Sequence, residues 1–366
     1  MRIPVGLVVT YGKALSEHEM AGRTAIAKAL AALKGYKFGG GYEPSLRGDG
    51  RLYYVPAATL EAAEARSLGI HCEDDLFGGV VPHSFVANKT IAHPLPDRHA
   101  CAPGGWLEEF PEHVREVVLP GFSAFTREDA LHAAKTLLDD GPVRIKAGYG
   151  IAGKGQIVVE SAADLEAALA SLDATAIARE GLVVERNLEE VTTFSVGQVT
   201  VGELRASYCG TQKLARDNAG ELVYGGSDLI VARGGYEELL ELDMAQVVRI
   251  AIAQAQRFDA AAAAYAGMFA SRRNYDVLRG RDRDGNWHCG VLEQSWRIGG
   301  ASGPEVAALI AFSADPRLYA VHARSTERYG EDALPPPGAI VHFHGVDSVA
   351  GPLVKYTVME PYARAQ

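Results

Sequence analysis

Tyr275-Asp-Val-Leu-Arg-Gly-Arg-Asp-Arg-Asp284-Gly285-Asn-Trp-His-Cys-Gly-Val-Leu-Glu293-Gln-Ser295-Trp-Arg297-Ile-Gly-Gly-Ala-Ser-Gly303 reads as a β-hairpin. Asp284-Gly285 is a two-residue turn signal, because glycine takes positive φ without steric cost and aspartate tolerates it. A turn centred there sets Asp276 directly opposite Glu293. Ser295 and Arg297 continue along the same face, since strand side chains alternate with a period of two. Two like charges set opposite each other destabilise a hairpin unless something positive lies between them. A divalent cation meets that need, and Mg²⁺ binds through one or two carboxylates plus substrate phosphates. The pairing raises the question of a nucleotide site elsewhere in the chain.

The chain is 366 residues long, enough for two or three domains. Its 48% hydrophobic and 22% charged residues are ordinary for a globular protein. No apolar run approaches the roughly 18 residues of a membrane span, so no membrane partner is expected. Val5–Tyr11 is too short an apolar run for a signal peptide and reads as a buried strand. The formal charge of −10, without a long basic run, argues against nucleic acid as a partner. Cys72, Cys101, Cys209 and Cys289 show no Cys-x-x-Cys spacing. That argues against a zinc site or a disulfide framework and suits a reducing cytoplasm.

From the N-terminus, Ser16 with Glu19 predicts a capped helix over 17–33. Strands are expected at 51–56 and 79–81, a second helix at 58–68, and a loop at Gly39-Gly40-Gly41. Alternating strands and helices imply a small open α/β sheet, with a domain boundary near residue 90. Thr126 with Asp129, and Ser161 with Asp164, predict two more capped helices. Between them, Pro142-Val-Arg-Ile-Lys146-Ala-Gly-Tyr-Gly150-Ile-Ala-Gly153-Lys154-Gly155-Gln-Ile-Val-Val-Glu160 reads as strand, glycine loop, strand. It nearly matches two glycine-rich phosphate motifs, but no helix follows and Gly155 stands where a P-loop needs Ser or Thr. Such a loop still offers backbone N–H groups to an anion, with Lys146 and Lys154 adding positive charge. Further strands are expected at 182–186, 194–201, 204–208, 339–344 and 353–359, and helices at 243–265 and 304–312.

Taken in order, these blocks resemble the ATP-grasp superfamily. Val143–Lys146 with Gly150–Gly155 is similar to its lysine strand and glycine loop. Leu182-Val-Val-Glu185-Arg-Asn-Leu188 is similar to its adenine-bearing linker strand, and Phe194-Ser195-Val196 to the strand after it. Asp276 and Leu292–Gly300 resemble its acidic metal-binding strands and the arginine after them. The resemblance implies a mixed α/β chain: an N-terminal open α/β domain over 1–90, the lysine and glycine-loop region over 91–185, and the metal-binding region over 186–366. It implies an ATP- and Mg²⁺-dependent ligase, with Mn²⁺ as an alternative metal. That enzyme would activate a small carboxylate as an acylphosphate for attack by an amine or similar nucleophile. An ATP-grasp kinase, or a nucleotide-binding protein without catalysis, remains open beside it, as does a homodimer.

The resemblance also implies roles. Lys89 and Lys146 would contact phosphates, and Gly150, Gly153, Lys154 and Gly155 would cover them. Glu185 would accept from the adenine amino group, with backbone near Leu188 completing the hinge. Asp276, Glu293 and Ser295 would hold the metal, and Arg297 would face the transferring phosphate. Gln212-Lys213 would reach the γ-phosphate, Lys213 being the phosphate ligand. Gly299–Gly303 would let a substrate approach the backbone. The sequence departs from the family at Ser295, where an Asn is usual. It also departs at Thr192 and Thr193, where a ribose-binding acid is usual; Glu189 or Glu190 is the replacement. His71, His83, His93 and His99 lie in loops without ligand spacing.

Overall fold

The structure, a computed structural model, describes residues 6–13, 16–48, 50–148 and 156–362. In chain order it begins with β1 (Gly6–Tyr11), α1 (Glu17–Lys34), β2 (Lys37–Gly41), β3 (Arg51–Pro56), β4 (Leu60–Glu61), α2 (Ala62–Leu68) and β5 (Gly79–Val81). Ser16 accepts the Glu19 amide at 3.4 Å, and Gly35 at φ 67° ends α1 in a left-handed cap. Strands β2, β1 and β3 form a parallel sheet with β1 at its centre. The glycine triplet expected as a loop is thus part of a strand. Gly39 is the extra residue of a bulge against β1, where a Cβ would stand 3.1 Å from Val9 Cγ1. Strand β5 does not join that sheet; it pairs with β4 and with a strand nearly two hundred positions later.

Next come α3 (Glu109–Val114), β6 (Gly121–Ala124), α4 (Arg127–Leu138), β7 (Val143–Ala147), β8 (Gln156–Val159), α5 (Ala162–Ser171), α6 (Ala174–Glu180) and β9 (Leu182–Arg186). Thr126 and Ser161 cap α4 and α5 through the amides of Asp129 and Asp164, at 3.0 and 3.2 Å. The four strands make an antiparallel sheet in the order β6-β9-β7-β8. Ala130, Ala133 and Ala134 of α4, with Leu165 and Leu169 of α5, pack on its apolar face.

The remainder is β10 (Glu189–Val201), β11 (Leu204–Arg216), β12 (Leu222–Arg233), α7 (Tyr236–Leu240), α8 (Gln246–Ala263), β13 (Phe269–Ala270), β14 (Arg272–Arg281), β15 (Trp287–Ser295), α9 (Ser302–Ala314), β16 (Ala320–Tyr329), β17 (Ile340–Asp347) and β18 (Gly351–Pro361). Among the described residues, eight of these strands form one antiparallel sheet, ordered β15-β14-β10-β11-β12-β16-β18-β17. One face carries Phe194, Val196, Tyr275 and Val277 against α8. The other carries Val199, Tyr208, Leu229 and Val231, with α9 and α1 in the same core.

The hairpin of β14 and β15 differs from its sequence reading in one instructive way. Its turn is the three-residue loop Arg283-Asp284-Gly285. Asp282 N donates to Asn286 O and Gly285 N to Asp282 O, both at 3.0 Å, with Gly285 at φ 84°. That turn alone would bring Leu292 opposite Asp276. Leu292 is instead the extra residue of a β-bulge, and beyond it Asp276 does face Glu293. The expected pair forms, through two irregularities that cancel.

Candidate functional site

Along the α9 face of the large sheet runs the row Glu293–Asp276–Ser195–Gly210, each residue opposite the next. The neighbouring row is Ser295–Asn274–Gly197–Tyr208. Gln212 Nε2 donates to Asp276 Oδ1 at 2.8 Å, and Ser195 Oγ lies 3.5 Å from the same oxygen. The Asn274 amide stands between Asp276 Oδ1 at 3.1 Å and the Tyr208 hydroxyl at 2.9 Å. Burial first, and the Glu293 charge second, raise the Asp276 carboxyl to about 6 despite those hydrogen bonds. Lys89 Nζ meets Glu293 Oε2 at 2.9 Å. The donor set, two opposed carboxylates with hydroxyl and amide groups beside them, fits a hard divalent cation bound through oxygen. Among the described residues, no group of three or more His, Cys, Asp or Glu side chains stands together in a metal-holding arrangement. That is no obstacle for Mg²⁺, which usually keeps waters and takes phosphate oxygens.

Behind this row lies a buried relay. Arg272, 1% exposed, donates from Nε to both oxygens of Glu305, at 3.0 Å each, and Glu305 is fully buried. The Tyr208 hydroxyl sits 2.6 Å from Glu305 Oε1. Arg272 Nη1 also donates to the carbonyls of Ser295 and Arg297, which braces the chain as it leaves β15. The Arg297 guanidinium donates to Ile298 O at 2.9 Å. Burial and Arg272 lower its pKa, opposed by the charges of Glu293 and Asp276.

A second group lies on the four-stranded sheet. Lys146 on β7 pairs with Glu185 on β9, and the His93 Nε2 lies 3.7 Å from the other Glu185 oxygen. Glu185 is 2% exposed. Burial opposes its ionisation, but the Lys146 charge and His93 outweigh it and hold Glu185 at about 2. The segment 88–93 ties the two sheets together. Lys89 meets Glu293, the carbonyls of Val86 and Asn88 accept from Gln294, and the Asn88 amide donates to Glu180 O. Ser123 donates to Thr90 O, and His93 reaches Glu185. His93, which shows no ligand spacing in sequence, is therefore part of this group.

Not every expected residue arrives here. Lys213 points to the α8 face and pairs with Asp228 at 3.0 Å; its neighbour Gln212 takes the place at Asp276. Strand alternation allows one of the two on that face. Gly150, Gly153, Lys154 and Gly155 lie outside the described residues. Leu188 is buried beside Gly280. Glu190 is exposed, at φ 49°, and pairs with Arg281 at 3.2 Å. The space at Gly300 and Gly303, expected to admit a substrate, is taken by this chain's own side chains. A Cβ at 300 would stand 2.2 Å from the Tyr224 hydroxyl, and one at 303 would stand 2.4 Å from Thr357 Oγ1. Asn274 and Arg272 went unread in the sequence, although they precede Asp276 by two and four positions and so share its face. Glu305 sits on a separate helix and carries no such signal.

The chain matches the family described as protein of unknown function (DUF3182) over residues 7–357. No curated protein matches it. Among solved structures it is similar to N5-carboxyaminoimidazole synthase from Aspergillus clavatus, in complex with ADP and 5-aminoimidazole ribonucleotide, with 14% identity and a TM-score of 0.53. That match covers 98% of this chain and 95% of the other. Phosphoribosylamine–glycine ligase from Thermotoga maritima matches at 17% identity and a TM-score of 0.51, covering 97% and 92%. Biotin carboxylase from Campylobacter jejuni, as a β-γ-ATP complex, matches at 14% identity and a TM-score of 0.51, covering 98% and 87%. With mixed α/β sheets arranged as in these ATP-grasp structures, the chain has the ATP-grasp fold and belongs to the family DUF3182.

Proposed function

We propose that this chain is an ATP- and Mg²⁺-dependent ligase that activates a small carboxylate as an acylphosphate for attack by an amine or similar nucleophile. The observation that carries the reading is the Asp276–Glu293 pair across the bulged hairpin, with Lys89 on Glu293. Mn²⁺ would replace Mg²⁺ at the same oxygen donors. A bound cation would neutralise the phosphates and the charge that develops during phosphoryl transfer. Asp276 and Glu293 would hold it, with Ser295 at the edge of the site. Lys146, oriented by its ion pair with Glu185, would meet the phosphates together with Lys89. The backbone near Leu188 would carry the adenine edge, and the glycine loop at 150–155 would cover the phosphates. The division into parts at residues 90 and 185 belongs to the same proposal.

In the first step a substrate carboxylate oxygen bonds to the γ-phosphorus while the bond to the β–γ bridging oxygen breaks, releasing ADP. In the second, the nucleophile bonds to the acyl carbon, inorganic phosphate leaves, and the amine proton passes to solvent. Arg297, within reach of the Asp276 and Glu293 charges, would stabilise the transferring phosphoryl group. The test is a screen of carboxylates and amines with ATP and Mg²⁺, reading ADP and phosphate. Turnover should appear with the wild type and vanish in Glu293→Gln while that variant remains folded. Absence of any thermal shift with ATP and Mg²⁺ would remove the nucleotide reading altogether.

A further inference from the structure

His93 is 1% exposed, and neither of its ring nitrogens has a hydrogen-bond partner among the described residues. A buried polar group left in that state is uncommon and costly. Glu185 faces it, with Oε2 at 3.7 Å from His93 Nε2, beyond hydrogen-bond length. A shift of roughly 0.5–1 Å closes the gap to a bond. The fold holds the two side by side. Ser123 of β6 ties down the turn that carries His93, its amide donating to Pro94 O at 2.8 Å and its hydroxyl to Thr90 O. Gly121, on the same strand, pairs with Glu185 on β9. A Cβ at 121 would stand 3.0 Å from His93 Nδ1 and 3.0 Å from Glu185 Cβ, so the missing side chain leaves the ring its place.

The Glu185 carboxylate has two supports: Lys146 holds Oε1, and His93 approaches Oε2. Arg144, directly opposite Glu185 on β7, is instead turned to Asn187 Oδ1 at 2.7 Å and Gln156 Oε1 at 3.0 Å. In the proposed function Lys146 meets the phosphates, and the family resemblance gives Glu185 the adenine amino group. A bound nucleotide then draws on Lys146 and brings negative charge close by, and both effects disfavour a buried carboxylate. His93 is the support that remains. An ionised carboxylate only accepts, so it matches the 6-amino group of adenine and repels the 6-oxo group of hypoxanthine. A protonated one also donates and would serve either base. We propose that His93 is a positioning residue for nucleotide selection: by donating to Glu185 Oε2 it keeps that carboxylate an acceptor, so that the site takes 6-aminopurine nucleotides and rejects 6-oxopurine ones. The proposal rests on the nucleotide reading given above.

The test is calorimetric binding of ADP and of IDP, its 6-oxo counterpart, each with Mg²⁺. The wild type should prefer ADP by about ten-fold or more, the scale of one hydrogen bond to a charged group. His93→Leu should lose most of that preference. His93→Gln, whose amide nitrogen can donate from the place of Nε2, should keep it. In Glu185→Gln, whose amide offers both a donor and an acceptor, the preference should be weak, and adding His93→Leu should change it no further. A purely structural role for His93 would weaken both nucleotides alike, so an unchanged ADP-to-IDP ratio in His93→Leu would overturn the inference and leave the nucleotide site standing. A wild type that binds neither nucleotide would overturn the nucleotide reading itself, and the inference with it. Should His93→Leu not fold, the wild-type crystal structure with ADP decides: His93 Nε2 bonded to Glu185 Oε2 supports the inference, and a ring turned away from Glu185 refutes it.

Discussion

Replacing Glu305 by Gln keeps the shape of the side chain and one acceptor oxygen but removes its charge. Arg272, 1% exposed, then keeps a positive charge with no carboxylate against it. The guanidinium still donates to the carbonyls of Ser295 and Arg297, so part of its hydrogen bonding survives. What is lost is the attraction of opposite charges in contact, about 4 kcal/mol at an effective dielectric constant near 20. Breaking one half of a buried pair costs about 3–5 kcal/mol in comparable cases, a large share of the roughly 5–15 kcal/mol by which domains are stable. The assay is urea unfolding followed by tryptophan fluorescence, Trp296 being buried beside the site. The midpoint should fall with little change in slope. Replacing both Arg272 and Glu305 by Met should recover part of the loss, because no unpaired charge then remains. A loss below about 1 kcal/mol in Glu305→Gln, the scale of an exposed pair, would refute the claim that this relay is a buried electrostatic brace.

His342, whose Nε2 lies 2.8 Å from Thr357 Oγ1, has its pKa lowered by burial and by Lys355 to about 4. Its contribution to stability is present above pH about 6.5 and is lost as pH falls toward 4. His342→Gln should flatten the stability profile in that window, and an unchanged slope would assign the acid sensitivity to other groups. Lys146→Met should destabilise the protein by about 3–5 kcal/mol, because Glu185 is buried beside it. It should also abolish the thermal shift with ATP, and a normal shift would place Lys146 outside the nucleotide site. Gly300→Ala would drive a methyl group into the Tyr224 hydroxyl, which bonds Ser227 and Ser325 at 2.7 and 3.2 Å. A lowered melting temperature is expected, and an unchanged one would mean that Tyr224 moves aside at no cost.

The helices α1, α4 and α5 were legible because their caps are local: Ser16, Thr126 and Ser161 each reach an amide three residues on. Strand β9 was legible because Leu182–Arg186 is bounded on both sides by chain-breaking residues. Strand β2 was not, because three glycines signal a turn, and only the bulge against Val9 makes them a strand. The same boundary runs through the site. Side-chain alternation is a property of each strand by itself, so Glu293 and Ser295 share a face of β15, and Arg272, Asn274 and Asp276 a face of β14, in any hairpin. Whether Asp276 meets Glu293 or Leu292 is not local. It depends on a three-residue turn and a bulge whose one-residue shifts offset each other, and a bulge forms where the packing on both faces of the sheet favours it. Gln212 rather than Lys213 reaches Asp276 because the long β11–β12 ladder sets which face each presents. Glu305 joins Arg272 and Tyr208 only when α9 docks on the sheet. Local sequence was enough for the capped helices, for most of the strands and for the carboxylates of the hairpin. Tertiary structure alone decided the register and the buried partners, because both come from contacts between segments far apart in the chain.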